Sequence, residues 1–231
     1  MRCAVFLTTA LFLTATLLLA GGPITGPESA SAQDGVELPE IEPGEPGSLS
    51  DLLYKRRSVR RFGSGPIHLE EAARLLFAAQ GITRKDRFRT VPSAGALYPL
   101  EIYLTAGNVE GLSPGVYRYR PQEHDLARVQ SGDKREAIAR AAVGQMWIAE
   151  AQAVLVVGAV FERTTSKYSN HGRRYVHMEA GCAAQSVSLQ VADLGLGTTV
   201  VGAFREDRIA GLIGTKDDVT PLLLMPVGRL P

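Results

Sequence analysis

RYVHMEAGCAAQSVSLQVADLGLGTTVVGAF, residues 174–204, decides the fold class. Val176, Ala180, Ala183, Val187, Val191 and Leu194 recur at spacings of four and three, which draws an apolar stripe along a helix predicted over 174–194. Gly195 stops that helix. The run GTTVVGAF then predicts a strand with Gly202 inside it, and a glycine within a strand marks a close approach to the backbone. A long helix running straight into a strand recurs nowhere else in the chain, so the fold is not a repeat of one unit.

Downstream, REDRIAGLIG reads as a short helix and TPLLLMPVGR as a last buried strand. Upstream, AVLVVGAVF is an unbroken apolar run and reads as a strand buried on both faces. KREAIARAAVG predicts a helix ending at Gly144, and EIYLTAG and GVYRYR predict strands able to pair. LEEAARLLFAAQG places Leu69, Ala72, Ala73, Leu76 and Ala79 on one helical face, with Gly81 at its end. Ser50 is the expected cap of a short helix, DLLYKRR. Helices and strands mix without strict alternation, which favours an α+β layered domain over a doubly wound sheet.

The chain has 231 residues, 45% hydrophobic and 21% charged, with a formal net charge of +1. That length allows one domain with a substantial core, and the balance of charge gives no bulk basicity for nucleic acid. The N-terminal run MRCAVFLTTALFLTATLLLAGG is followed by Ala30-Ser31-Ala32, a small-x-small site, so residues 1–32 read as a secretory signal cut after Ala32. The alternative is a membrane anchor, since the run is just long enough to span a bilayer. The protein is therefore expected to be exported, with any membrane contact confined to this segment. Residues 33–48 carry five acidic residues, no basic one and three prolines, an acidic linker that leaves +6 on 49–231 once Arg2 and Glu28 cancel. The single cysteine beyond the signal, Cys182, excludes an internal disulfide in the mature chain and reads as a small buried apolar residue.

Four short segments offer chemistry. RRSVRRF, residues 56–62, gathers four arginines round Ser58, and arginine forks with a hydroxyl suit a phosphate. PSAGALYP, residues 92–99, sets small residues between two prolines, so backbone amides can reach a ligand. GLGTTVVG, residues 195–202, lacks the spacing of a dinucleotide fingerprint. Val227-Gly228-Arg229 can bring a second cation. His171 and His177 stand six apart without a cysteine or carboxylate at ligand spacing, so no metal site is expected. Trp147 reads as a core or interface anchor, and Glu179 as a partner of a neighbouring arginine.

In this order, RRSVRRF, PSAGALYPLEIYL, GVYRY, the 174–204 stretch and LMPVGR resemble the nitroreductase superfamily, and within it the SagB/ThcOx-type dehydrogenases. The resemblance covers about residues 50–230. It implies a mixed or antiparallel sheet flanked by helices and a homodimer with FMN at the subunit interface. Arg56 and Ser58 would hold the FMN phosphate and ribityl, with Arg229 completing the phosphate shell. Arg60 would lie toward the pyrimidine edge, and Val201 and Gly202 would offer backbone to the N5 side. Ser93, Ala94 and Gly95 would reach the flavin from the other subunit, while Arg57 and Arg61 match no role. In the azoline-oxidising members a Lys-Tyr pair removes the substrate proton, and Lys167-Tyr168, in a loop before the long helix, would be that pair.

The resemblance implies an FMN-dependent oxidoreductase acting on a small molecule or a peptide. The narrower alternative is an azoline-type dehydrogenase of a modified peptide. A non-catalytic flavin-binding scaffold is the third reading, because an exported protein meets little NAD(P)H.

Overall fold

The computed structural model describes residues 38–84, 88–215 and 218–231. The signal segment 1–32 and the start of the acidic linker lie outside the described residues. Contacts divide the chain into Met1–Ile41 and Glu42–Pro231, and the second unit carries every regular element described below.

Six strands form one sheet: β2 (Leu100–Ala106), β4 (Gly115–Arg120), β5 (Asp125–Ser131), β6 (Ala153–Ala159), β7 (Leu196–Thr198) and β8 (Thr220–Arg229). Their order is β5-β4-β2-β6-β8-β7, and each neighbouring pair is antiparallel. The short strands β1 (Ile67–His68) and β3 (Val109–Glu110) pair in parallel apart from it. The α+β expectation is met, and EIYLTAG and GVYRYR pair as β2 and β4.

Period-two alternation in β6 explains the layering. Leu155 and Val157 join one apolar cluster with residues of α2 (Leu69–Gln80) and α5 (Asn170–Asp193). Val154 and Val156 join another with Ile138 of α3 (Arg135–Ala141) and Ile209 and Ile213 of α6 (Glu206–Ile213). The central sheet is thus covered on both faces, which is why β6 reads as an unbroken apolar run despite antiparallel neighbours.

Five local readings are corrected. The cap of α1 (Leu49–Lys55) is Ser48, whose Oγ accepts from the Asp51 N–H at 3.2 Å, not Ser50. The helix expected to end at Gly144 ends at Ala141, with Val143 in the left-handed region. GTTVVGAF is not one strand: β7 stops at Thr198, and Val201 returns for an isolated bridge to Leu224. Lys167-Tyr168 belongs to a helix, α4 (Glu162–Tyr168), rather than a loop. Cys182 is exposed, because its position is out of phase with the buried stripe of α5.

RRSVRRF is fixed by glycines in its neighbours. Ser58 bridges Thr198 in parallel, and the Val59 N–H donates to Thr198 O at 2.8 Å. A methyl at Gly197 would stand 2.7 Å from Val59 Cγ1, so only glycine lets the segment lie this close to β7. Further on, buried Gln152 donates to Gly63 O at 2.9 Å and accepts from the Arg229 N–H at 3.1 Å. One side chain thereby ties the end of the arginine segment to β8.

Candidate functional site

The sequence-predicted residues fall into two clusters, both resting on α5. The first is a groove at Arg56, with Ser58 and Gly202 near it in the chain; Val201 is buried in the second core cluster, and its N–H and C=O are both bonded to Leu224. Arg56 lines a groove of about 330 Å³ with His177, Gly181, Ala184 and Ser188 of α5 and with Val200. Glycine and alanine on that helix keep the groove open. Ser58 sits beside it on the β7 edge, and nothing lies within 4 Å of where a Gly202 side chain would start. A fork of donors, a hydroxyl and an unobstructed backbone suit an anionic, flat group.

Not every cation of the motif serves this groove. Arg57 donates to Tyr54 O and to Arg56 O, closing the end of α1. Arg60 lies with its guanidinium carbon 6.0 Å from the Trp147 ring, and Trp147 packs half-buried against the second core cluster. Arg229, which the resemblance places in a phosphate shell, is here engaged by protein groups. Its Nη1 and Nη2 each donate to Glu71 at 2.7 Å, and its Nε donates to Pro66 O at 2.9 Å. Burial pushes the Glu71 carboxyl up, but the Arg229 fork and the His68 N–H outweigh it and hold the group below its usual range. Arg229 therefore joins β8 to α2.

The second cluster is the loop Ser93–Tyr98 with α4. Gly95, Ala96 and Tyr98 all have positive φ, at 63°, 53° and 47°. For alanine and tyrosine that backbone costs about 1–2 kcal/mol each and persists only where surroundings enforce it. Here the Tyr98 N–H donates to Ser93 Oγ at 2.9 Å, and Arg163 Nη1 donates to Tyr98 O at 3.0 Å. Arg89 lies 4.4 Å over the Tyr98 ring. Ser93 and Ala94 are half-buried and Gly95 is exposed.

The Lys-Tyr pair stands on this loop. A methyl at Gly95 would meet Tyr168 Oη at 2.8 Å and Lys167 Nζ at 3.1 Å. The two polar ends thus converge on the Gly95 backbone. Tyr168 is held edge-on by Tyr175 of α5, with ring centroids 5.2 Å apart. Close packing of α4 on α5 at Gly172, where a methyl would stand 2.8 Å from Thr165 Cα, sets the position of the pair.

By helical periodicity the two clusters lie on roughly opposite sides of α5. Gly172, Tyr175 and Glu179 face the loop and α4, whereas His177, Gly181, Ala184 and Ser188 face the Arg56 groove.

Glu179 was read as an arginine partner, and the structure corrects this. It is 4% exposed, forms no ion pair among the described residues, and its Oε1 has no hydrogen-bond partner. Burial pushes its carboxyl up to about 7, against the opposing influence of nearby Ser93, Arg89 and Gln80. The signal was available in the sequence, because Glu179 lies three residues after Val176 and four before Ala183, in phase with the apolar stripe. Arg89 and Arg163, which brace Tyr98, carried no such mark.

Comparison with known proteins gives a consistent result. The model of the Nitroreductase family matches residues 53–229. A protein of Methanocaldococcus jannaschii that bears the name nitroreductase is 48% identical over 194 residues, covering 84% of this chain and 96% of its own. The microcin B17-processing protein McbC of Escherichia coli is 28% identical over 146 residues, 61% of this chain and 54% of McbC. A crystal structure from Ralstonia eutropha, also named for a nitroreductase, superposes with a TM-score of 0.70 at 27% identity, over 85% of this chain and 88% of that one.

Proposed function

The chain belongs to the nitroreductase family of oxidoreductases, and we propose that it is an exported, FMN-dependent member acting as a homodimer on a small-molecule or peptide substrate. The family is typically flavin-dependent. FMN, when bound, supplies a site that takes a hydride or two electrons from a donor and returns them to an acceptor. Arg56 and Ser58 would hold its phosphate, and the exposed backbone at Gly202, next to the bridged Val201, would receive its ring, with Arg60 turning from Trp147 to serve as its cation. Ser93, Ala94 and Gly95 would supply the remaining contacts.

One observation carries the dimer. The Arg56 groove and the Gly95 loop lie on opposite sides of α5 in a single chain. A flavin touching both sets of residues must therefore lie between two chains. Export rests on residues 1–32.

Convergence of Lys167 and Tyr168 on the exposed loop favours the dehydrogenase reading among the possible reactions. A substrate bound over Gly95 would meet an amine and a phenol at one point, and a positioned base contributes on the order of 10²–10⁴ in rate. The McbC similarity is consistent with a peptide substrate. Kinetics of Lys167→Ala and Tyr168→Phe test this. Oxidation of a carbon–nitrogen bond should slow by about a hundredfold or more, with flavin content and nitro-compound reduction unchanged. Full activity of both variants on every accepted substrate would remove the dehydrogenase reading.

A further inference from the structure

Next to the braced loop lies a second concavity that the flavin site does not use. It is a cleft of about 380 Å³ whose wall includes Gln80, Arg89, Glu101, Arg118, Arg120 and Arg163. The sheet ends here, so side chains from β2, β4 and α4 converge with the segment that follows α2.

The cations are unevenly satisfied. Arg120 is held by Asp125 through two nitrogens. Buried Glu101 is shared: it accepts from Arg118 Nε at 2.9 Å and from Arg163 Nη2 at 2.6 Å. The two terminal nitrogens of Arg118 have no partner among the described residues, which leaves spare donors on a guanidinium whose Nε already serves Glu101. Arg89 donates to Gln80 Oε1 at 2.6 Å and stacks on Tyr98, but no carboxylate pairs with it among the described residues. Burial pulls its guanidinium below the usual value, against the opposing influence of Tyr98, Glu179 and Glu101, which act on it without forming an ion pair. A half-buried cation without a directly paired carboxylate is costly, and a concave site with spare guanidinium donors relieves that cost by taking an anion.

We propose that this cleft is an oxyanion site that receives a carboxylate of the substrate, with the Arg118 fork as its main ligand and Arg89 as the second cation. Shape and charge favour a carboxylate over a phosphate. Two donors on one guanidinium match the two coplanar oxygens of a carboxylate. Among the described residues, Asp125 answers Arg120 and Glu101 is shared by Arg118 and Arg163, so part of the positive charge of this wall has no ion-pair partner, with Glu179 and Glu101 acting on Arg89 only at a distance. A singly charged carboxylate meets that remainder with less desolvation than a phosphate, which carries about two charges near neutrality. Position ties the cleft to the chemistry: Arg163 and Arg89 both touch Tyr98, and Arg163 is one helical turn before Lys167. Only the assignment of the anion to the substrate rests on the proposed function; anion binding itself does not.

Calorimetry on the full chain tests it with N-acetylglycine, its neutral amide and inorganic phosphate. The acid should bind, the amide and phosphate should bind at least about tenfold more weakly, and Arg118→Gln should lose about tenfold or more for the acid. Arg118→Lys, which keeps charge but not the fork, should fall between, and it serves if the Gln variant fails to fold. Equal binding of acid and amide, tighter binding of phosphate, no binding of the acid, or no effect at Arg118 overturns the site. The acid should also raise the apparent KM of the oxidoreductase reaction, without changing kcat, in wild type but not in Arg118→Gln. Binding without that effect overturns the link to the substrate and leaves the flavin reading standing. Absence of flavin from the protein overturns the proposed function and leaves the calorimetry readable.

Discussion

Glu179 is the residue whose environment departs furthest from what its type suggests. Its carboxyl is raised from 4.5 to about 7 by burial, so the folded protein favours the neutral form. The sign follows directly: no cost arises below the unfolded value, cost accumulates as pH rises toward about 7, and it is constant above. The difference corresponds to about 3 kcal/mol as an order of magnitude. Glu179→Gln should therefore match wild type in unfolding free energy near pH 4.5 and exceed it by a few kcal/mol near pH 8. Denaturant titrations at the two pH values check this, and a pH-independent difference would contradict it. Arg229 gives the converse case, an exposed-looking motif residue with a structural occupation. Arg229→Ala should cost about 1–3 kcal/mol through the uncompensated Glu71 carboxylate. The double variant Arg229→Ala/Glu71→Ala should recover part of that stability in melting curves. If Arg229→Ala instead left stability untouched but abolished flavin binding, the residue would serve the phosphate and not the Glu71 pair.

At the scale of elements, legibility followed periodicity and burial. The helix α5 and the strands β6 and β8 announced themselves because their apolar patterns run long enough to be unambiguous. The strand β5 did not, since DLARVQS is a half-exposed edge with no clean alternation. The helix α4 did not either, because ERTTSKY is polar and buries little beyond Thr164. That miss had a consequence for function, as the helix is what directs Lys167 and Tyr168 at Gly95. GTTVVGAF was overread because β-branched residues favour strands wherever they stand, whereas the chain leaves β8 after Thr198 and exposes Val200. Gly197 carried no assignment in the sequence, and its need is Val59, against which a side chain would clash. Gly197→Ala should shift the RRSVRRF segment, destabilise the protein by about 1–3 kcal/mol and weaken flavin binding. Val59→Ala in the same chain should restore flavin affinity, measured by fluorescence quenching. A Gly197→Ala variant with wild-type affinity would show that the segment's position is irrelevant to the cofactor.

On the scale of the whole molecule, the site residues were legible as motifs, and their division between two subunits came only from the resemblance. The fold places Arg56 and Gly95 on two sides of α5, in keeping with that division. That separation by the thickness of a helix is the ground for proposing that two chains share the ligand. The protein should accordingly have twice the chain mass by light scattering and bind one flavin per chain, with flavin lost on dilution into monomer. A monomer retaining stoichiometric flavin would contradict the shared site.

A working flavin oxidoreductase and a flavin-binding scaffold differ in the visible spectrum of the purified full chain through one redox cycle. The enzyme should show a flavin band that bleaches anaerobically on adding a reductant and returns when an acceptor such as a quinone is added, with the acceptor reduced in proportion. A colourless protein that takes up no FMN, or a yellow one whose flavin passes no electrons to any acceptor, would contradict the enzyme reading.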